Sequence, residues 1–189
     1  MRVHVSLTPA EFPDAPLTGC VALAVDVLRA TTASVAACDA GCRRLVPVPD
    51  ATTAEALAAL TNVTAAARWA LEQGRDVTIL CAGDNGAFSL EDAVCAGLLV
   101  ARLTEASPAA VLSEGAQAAL GLGRHYEARL ERLAEDSGWG RKLERLGRAA
   151  DLAWCLRADV SRVVPVFVAG GFVPRPAAST AAVGSESRT

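Results

Sequence analysis

Two runs in this 189-residue chain are apolar almost without interruption, Val21-Ala-Leu-Ala-Val25 and Val77-Thr-Ile-Leu-Cys81. A strand that is apolar on both faces needs a covering layer on each side. That confines the chain to a sheet with helices above and below it, in which the strands run mostly parallel. Further β-type runs at Val3–Leu7, Arg44–Val48 and Val163–Phe167 alternate with helical stretches at Thr31–Ala40, Thr53–Gln73, Leu90–Leu103, Ser113–Glu135, Arg141–Leu146 and Ala149–Leu156. The expected fold is therefore α/β, a three-layer α/β/α arrangement with a largely parallel central sheet. Gly41 and Gly74 stand where glycines end helices before the next strand. Ser89 with Asp92 reads as a capping box. His4 is placed on an edge strand and His125 on a charged helix. Residues 1–173 read as one domain, and the Pro-, Ala-, Ser- and Thr-rich residues 174–189 as a disordered tail.

Composition removes several function classes. Net charge is −3, and 17 arginines and one lysine are scattered along the chain, so nucleic acid is excluded as the main partner. No apolar stretch reaches the ~18 residues of a membrane span, and the first residues carry no apolar leader segment. Six cysteines occur without a C-x-x-C pair, and Cys20, Cys38, Cys81, Cys95 and Cys155 lie among alanines, valines and leucines. They read as buried free thiols of a reduced, cytoplasmic protein.

Ligands of open α/β sheets bind beyond the carboxyl ends of the strands. Two segments occupy such positions. In Val25-Asp26-Val27-Leu28-Arg29-Ala30-Thr31-Thr32 a buried strand meets an acid, an arginine and two hydroxyls at a helix start. Arginine and a helix N-terminus suit phosphate, and Asp26 suits Mg²⁺, which takes one or two carboxylates and keeps several waters. The plainer alternative is that Thr31 or Thr32 caps the helix and Asp26 pairs with Arg29. In Cys81-Ala82-Gly83-Asp84-Asn85-Gly86-Ala87-Phe88-Ser89-Leu90-Glu91-Asp92 the glycines Gly83 and Gly86 can present amides to an anion. There Asp84, Glu91 and Asp92 supply oxygen ligands or a general base. Here the alternative is a capped helix after an ordinary turn, which accounts for Ser89 and Asp92 but leaves Glu91 without a task.

There is no G-x-x-x-x-G-K-[ST] and no G-x-G-x-x-G after a strand, which excludes P-loop and dinucleotide-binding chemistry. Leu28 stands where an aspartyl-nucleophile phosphatase needs a second acid, and Ala87 where a cysteine phosphatase needs an arginine. Two histidines do not make a His-based metal centre or triad.

These same segments resemble the 2-phosphosulfolactate phosphatase family, Mg²⁺-dependent enzymes of coenzyme M biosynthesis. The likeness runs in order through Leu7-Thr8-Pro9-Ala10-Glu11, the Asp26–Thr32 block, Ala40-Gly41-Cys42, Val46-Pro47-Val48 and Asn62–Ala67. It continues through Leu80–Gly83 with Gly86, Phe88–Ala93, Ala96-Gly97, Gly140-Arg141, Leu146-Gly147, Asp151, Cys155, Asp159 and Val164-Pro165-Val166. The resemblance implies hydrolysis of 2-phosphosulfolactate to sulfolactate and phosphate. Set on these residues, that activity puts Mg²⁺ on Asp26 and Glu91 and makes Asp26, Arg29, Asp84 and Glu91 catalytic. Arg29, Thr31, Thr32, Gly83, Gly86 and Ser89 become the substrate contacts, with Asp84 or Glu91 activating water. The chain departs from the family in lacking a long central segment with a Gly-Glu-Arg turn, a Gly-Asn-Ser-Pro stretch and a Thr-Thr-Asn-Gly-Thr strand-turn. Its absence is expected to fuse two helices over Thr53–Gln73, to remove a core strand, and to expose apolar surface that favours a homo-oligomer. The alternative function is a catalytically impaired member that acts as an anion-binding or interaction module.

Overall fold

The computed structural model describes residues 1–46 and 54–176. Seven strands form one mixed, mostly parallel sheet: β1 Arg2–Ser6, β2 Cys20–Val25, β3 Ala56–Ala58, β4 Asp76–Cys81, β5 Val111–Leu112, β6 Val163–Val168 and β7 Gly171–Pro176. Their order across the sheet is β5-β1-β4-β2-β3-β6-β7. Every pair from β5 to β3 is parallel, while β3 with β6 and β6 with β7 are antiparallel. The two apolar runs singled out by sequence are adjacent at the centre, with Val21 opposite Val77 and Val25 opposite Cys81. From Val77 to Cys81 every residue of β4 is buried, as a strand covered on both faces must be. The α/β, three-layer reading therefore holds. His4 is not on an edge strand, because the two-residue β5 lies outside β1.

The helices are α1 Ala30–Asp39, α2 Val63–Glu72, α3 Leu90–Ala106, α4 Glu114–Tyr126, α5 Leu133–Asp136, α6 Gly138–Arg145 and α7 Ala149–Cys155. The expected helix over Thr53–Gln73 is replaced by strand β3, a 3₁₀ turn at Leu60–Asn62 and α2. Ala56 and Ala58 are fully buried between β2 and β6. The helical preference of alanine is a few tenths of a kcal/mol over most residues, and completing a buried ladder outweighs it. A core strand thus stands where the shortening was expected to have removed one. It runs into Thr61-Asn62-Val63-Thr64 at the start of a helix, again a strand-turn-helix unit.

Asn62 ties that unit together. Its Oδ1 accepts from the Ala59 amide at 2.8 Å, and its Nδ2 donates to the Leu57 and Val163 carbonyls at 3.3 and 2.9 Å. The start of α2 is capped from a distance, by Asp159, which accepts the Thr64 amide and hydroxyl at 2.8 and 2.7 Å.

Three other expectations change. The run expected as one helix over Ser113–Glu135 breaks after Tyr126, which lets the Tyr126 hydroxyl donate to Asp136 at 3.0 Å. Within the expected strand Arg44–Val48, Leu45 makes a single bridge to Phe172, and Pro47 and Val48 lie outside the described residues. Pro174, Arg175 and Pro176 are not tail but the end of β7, paired with Pro165, Val164 and Val163, and residues 177–189 lie outside the described part. Gly41 and Gly74 do adopt the positive φ of helix-ending glycines. All six cysteines are free, with Cys20 and Cys42 only half-buried. Among the described residues no helix is long and apolar enough to cross a membrane.

Candidate active site

The carboxyl ends of β2 and β4 meet the amino ends of α1 and α3, and three acids gather there. Asp26 follows β2 directly, and its Oδ1 accepts from the Ala30 amide at 3.1 Å, closing the first turn of α1. Its Oδ2 accepts no hydrogen bond from the described residues. Glu91 and Asp92 lie in the first turn of the 17-residue helix α3, whose N-cap is Ser89, with the Ser89 Oγ accepting from the Asp92 amide. A carboxylate there is favoured by the unpaired amides of the helix start.

Ser89 therefore caps as expected, but Asp92 does not complete the box. Its Oδ1 accepts the Val27 amide at 2.8 Å and its Oδ2 the Gly83 amide at 3.0 Å, so one buried side chain joins the ends of both central strands. Burial, with the charges of Asp26 and Glu91, raises its pKa to about 8 against the pull of those two amides. Burial also raises Glu91, opposed by hydrogen bonds from Ser89 and Ser137 and reinforced by the charge of Asp26. Asp26 is raised by burial, partly offset by the Ala30 amide. Three carboxyls gathered in one place and all shifted upward, chiefly by burial, are a feature of functional sites.

A half-open cleft of about 780 Å³ lies beside this cluster. One wall is the turn after β2 and one face of α1, with Asp26, Leu28, Arg29, Ala30, Thr32 and Ala33. The other is α7, through Ala150, Asp151, Trp154 and Cys155, with Trp139 of α6 beside it. Asp26 and Arg29 thus share a cleft, as expected. They do not pair with each other: the Arg29 Nη1 donates to Asp151 Oδ2 at 3.1 Å, and Arg148 holds the same oxygen from the far side at 2.6 Å.

The remaining candidates sit elsewhere or are occupied. Thr31 Oγ1 donates to the Asp26 carbonyl at 2.7 Å and Thr32 Oγ1 to the Val27 carbonyl at 2.8 Å, so both hydroxyl protons are spent shaping the turn. The Gly83 amide is taken by Asp92. Asp84-Asn85-Gly86-Ala87 is a tight two-residue turn closed by Asp84 N to Ala87 O at 3.0 Å and its reciprocal at 2.9 Å. Asn85 and Gly86 both have positive φ, the signature of an Asn-Gly type I′ turn. A Cβ at Gly83 would collide with the Ala87 carbonyl, so that residue is fixed by the approach of the turn. Neither Asp84 nor Gly86 lines the cleft. Burial pushes the Cys81 thiol well above its usual range, in keeping with a packing role.

Asp151, Trp139 and Trp154 line the cleft and were not singled out for chemistry by sequence, although Ala150 and Trp154, like Asp151 and Cys155, have the four-residue spacing of one helix face. For a metal, Asp26 has an available oxygen at the cleft, while Glu91 is buried, engaged by Ser89 and Ser137 and not part of the cleft lining, though near enough to feel the charge of Asp26; two carboxylates are the sparse set that Mg²⁺ uses. Among the described residues no three His, Cys, Asp or Glu side chains gather to hold an ion by themselves.

The family model of 2-phosphosulpholactate phosphatase matches residues 6–60 and 56–170, two stretches that meet at β3. Among curated proteins, a probable 2-phosphosulfolactate phosphatase of Symbiobacterium thermophilum is 35% identical over 117 residues, which is 62% of this chain and 50% of that protein. The proteins of the same description from Thermotoga maritima and Deinococcus radiodurans are 34% and 36% identical, over 61% and 62% of this chain and 49% of each relative. The chain spans about half the length of the curated relatives it matches. With the family model covering residues 6–170, which hold five of the seven strands and all seven α-helices, this chain belongs to the 2-phosphosulpholactate phosphatase family.

Proposed function

We propose that this chain is a phosphatase that hydrolyses a small organic phosphate monoester, with Mg²⁺ on Asp26 and Glu91. The names of its relatives put 2-phosphosulfolactate first among the substrates to test. The observation that carries the reading is that Asp26 and Arg29 sit on one wall of the same cleft, with a second carboxyl, Glu91, close enough to feel the charge of Asp26. A bound Mg²⁺ would neutralise charge on the phosphoryl oxygens. Arg29 grips those oxygens in exchange for part of its contact with Asp151. With that oxygen of Asp26 given to the metal, a carboxyl oxygen of Glu91 takes the proton from the attacking water. The new water–phosphorus bond forms as the ester bond breaks, and the proton taken from water balances the alkoxide that leaves as an alcohol. Asp84 has no part in this scheme: its turn stands outside the cleft and its carboxylate accepts from the Asn85 side chain.

The test is inorganic phosphate release from 2-phosphosulfolactate with Mg²⁺, comparing wild type with Asp26→Ala. Release by the wild type that falls by about 10²-fold or more in the variant is expected. No release, or equal release by both proteins, overturns the reading. Binding without release would leave the chain as an anion-binding module.

A further inference from the structure

The cleft is unevenly furnished. At one end stand Asp26, Arg29 and Asp151, and Arg29 is the only cation that lines it among the described residues. Away from that end the walls are apolar. Ala33 and Ala36 lie on α1, and Trp139 and Trp154 face the same space. Small side chains on one wall and indoles on the other leave a slot with depth but little polar chemistry.

The indoles are held in place. Lys142 Nζ lies 3.7 Å from the centroid of the Trp139 ring, and the guanidinium carbon of Arg157 lies 5.0 Å from that of Trp154. Neither cation is among the residues that line the cleft. Trp154 is 41% exposed, an unusual cost for the largest apolar side chain on a seven-residue helix. A half-exposed indole facing a cleft is a contact surface for a ligand.

Beyond the phosphate at Arg29, the lining that remains for the rest of an ester is mostly alanine and indole. The cleft volume of about 780 Å³ also lies in the upper part of the roughly 300–1,000 Å³ range of pockets that hold drug-sized ligands. We propose that the cleft takes phosphate monoesters bearing a flat aromatic group, with the phosphate at Arg29 and the ring stacked on Trp154 and Trp139. This inference rests on the reading of the same cleft as a phosphate site, and it names the class of alcohol that the phosphate is carried on.

Binding separates the two ideas better than turnover does, because an aryl leaving group speeds hydrolysis by itself. The probes are phenylphosphonate and methylphosphonate, which share one head group and are not hydrolysed. They are titrated into the full-length protein with Mg²⁺ by calorimetry. Phenylphosphonate is expected to bind about five- to tenfold tighter. Trp154→Ala should bring the two affinities to within about twofold, and Trp154→Phe should restore most of the preference. Arg29→Ala should weaken both probes. Equal affinities in the wild type, or a preference that survives Trp154→Ala, overturn the aromatic slot and leave the phosphate site standing. If neither probe binds, the phosphate site falls and the slot falls with it.

Discussion

The guanidinium of Arg29 donates to the carboxylate of Asp151 across the mouth of the cleft, joining residues 122 positions apart in the chain. Arg148 holds the same carboxylate and is the larger cause of its lowered pKa. Asp151 therefore competes with any incoming anion for Arg29. Asp151→Ala should raise the affinity for inorganic phosphate several-fold, and the gain should fade at high salt. Because both partners of the pair are about two-fifths exposed, the variant should lose no more than about 1 kcal/mol of stability. Calorimetric phosphate titrations at low and high salt, beside a urea melt, check both statements. Unchanged phosphate affinity would show that the pair does not restrain the arginine.

Asp92 gives the metal-free protein a distinctive pH dependence. Its folded pKa of about 8 stands above the ordinary carboxylate value of 3.8, so between those limits the folded state binds more protons than the unfolded one. Stability then falls as pH rises through that window. The melting temperature without Mg²⁺ should drop by at least roughly 5 °C between pH 5 and pH 8. Asp92→Asn should flatten this slope from a lower starting point. Its amide nitrogen would face one of the two backbone donors that Asp92 now accepts, at a cost of about 1–3 kcal/mol.

Asn62 is fully buried and its side chain makes three hydrogen bonds to backbone groups of β3, its following turn and β6. Asn62→Ala orphans an amide and removes two donors from buried carbonyls, and should cost about 3 kcal/mol in chemical denaturation. Asn62→Asp keeps the acceptor for Ala59 but turns two donors into repelling oxygens, so it should fare no better.

The contact of α3 with α4 depends on glycine. A Cβ on Gly97 would collide with the Ala119 carbonyl, and one on Gly123 with the backbone of Gly97. Gly97→Ala gains up to about 1 kcal/mol of helix propensity but forces the helices apart, at about 1–3 kcal/mol or more, so net destabilisation is expected. Gly121 has nothing within 4 Å of an added Cβ. Gly121→Ala should therefore raise the melting temperature, and the opposite signs of the two substitutions test the packing directly.

The layered fold was legible because Val21–Val25 and Val77–Cys81 are apolar on both faces, and that pattern has few structural solutions. The candidate site was legible only in its placement: Asp26 and Arg29 follow a central strand and do line the cleft. Elsewhere local pattern misled. Ala56-Leu57-Ala58 carries a helical composition, and only its neighbours β2 and β6 make it a strand. Asp92 matched a capping box, while its carboxylate reaches amides 65 and 9 residues away, a distance that no local motif encodes. Trp154 and Asp151 line the cleft because α7 stands across it from α1, which sequence spacing does not show.

Strand β3 carries a final consequence. By residue 81 the chain holds every segment of the parallel block β1-β4-β2-β3, and the β6–β7 hairpin is built from neighbours in sequence. Between strands of the described residues, these two blocks meet at a three-residue strand with one paired position to β6, Ala56 opposite Val166, beside the Phe167-to-Glu55 backbone bond, the Leu45–Phe172 bridge and the link made by Asn62. Such a molecule has a hinge line in its sheet. Hydrogen exchange should find the amides on either side of it opening as two separate cooperative units, the parallel block being the slower.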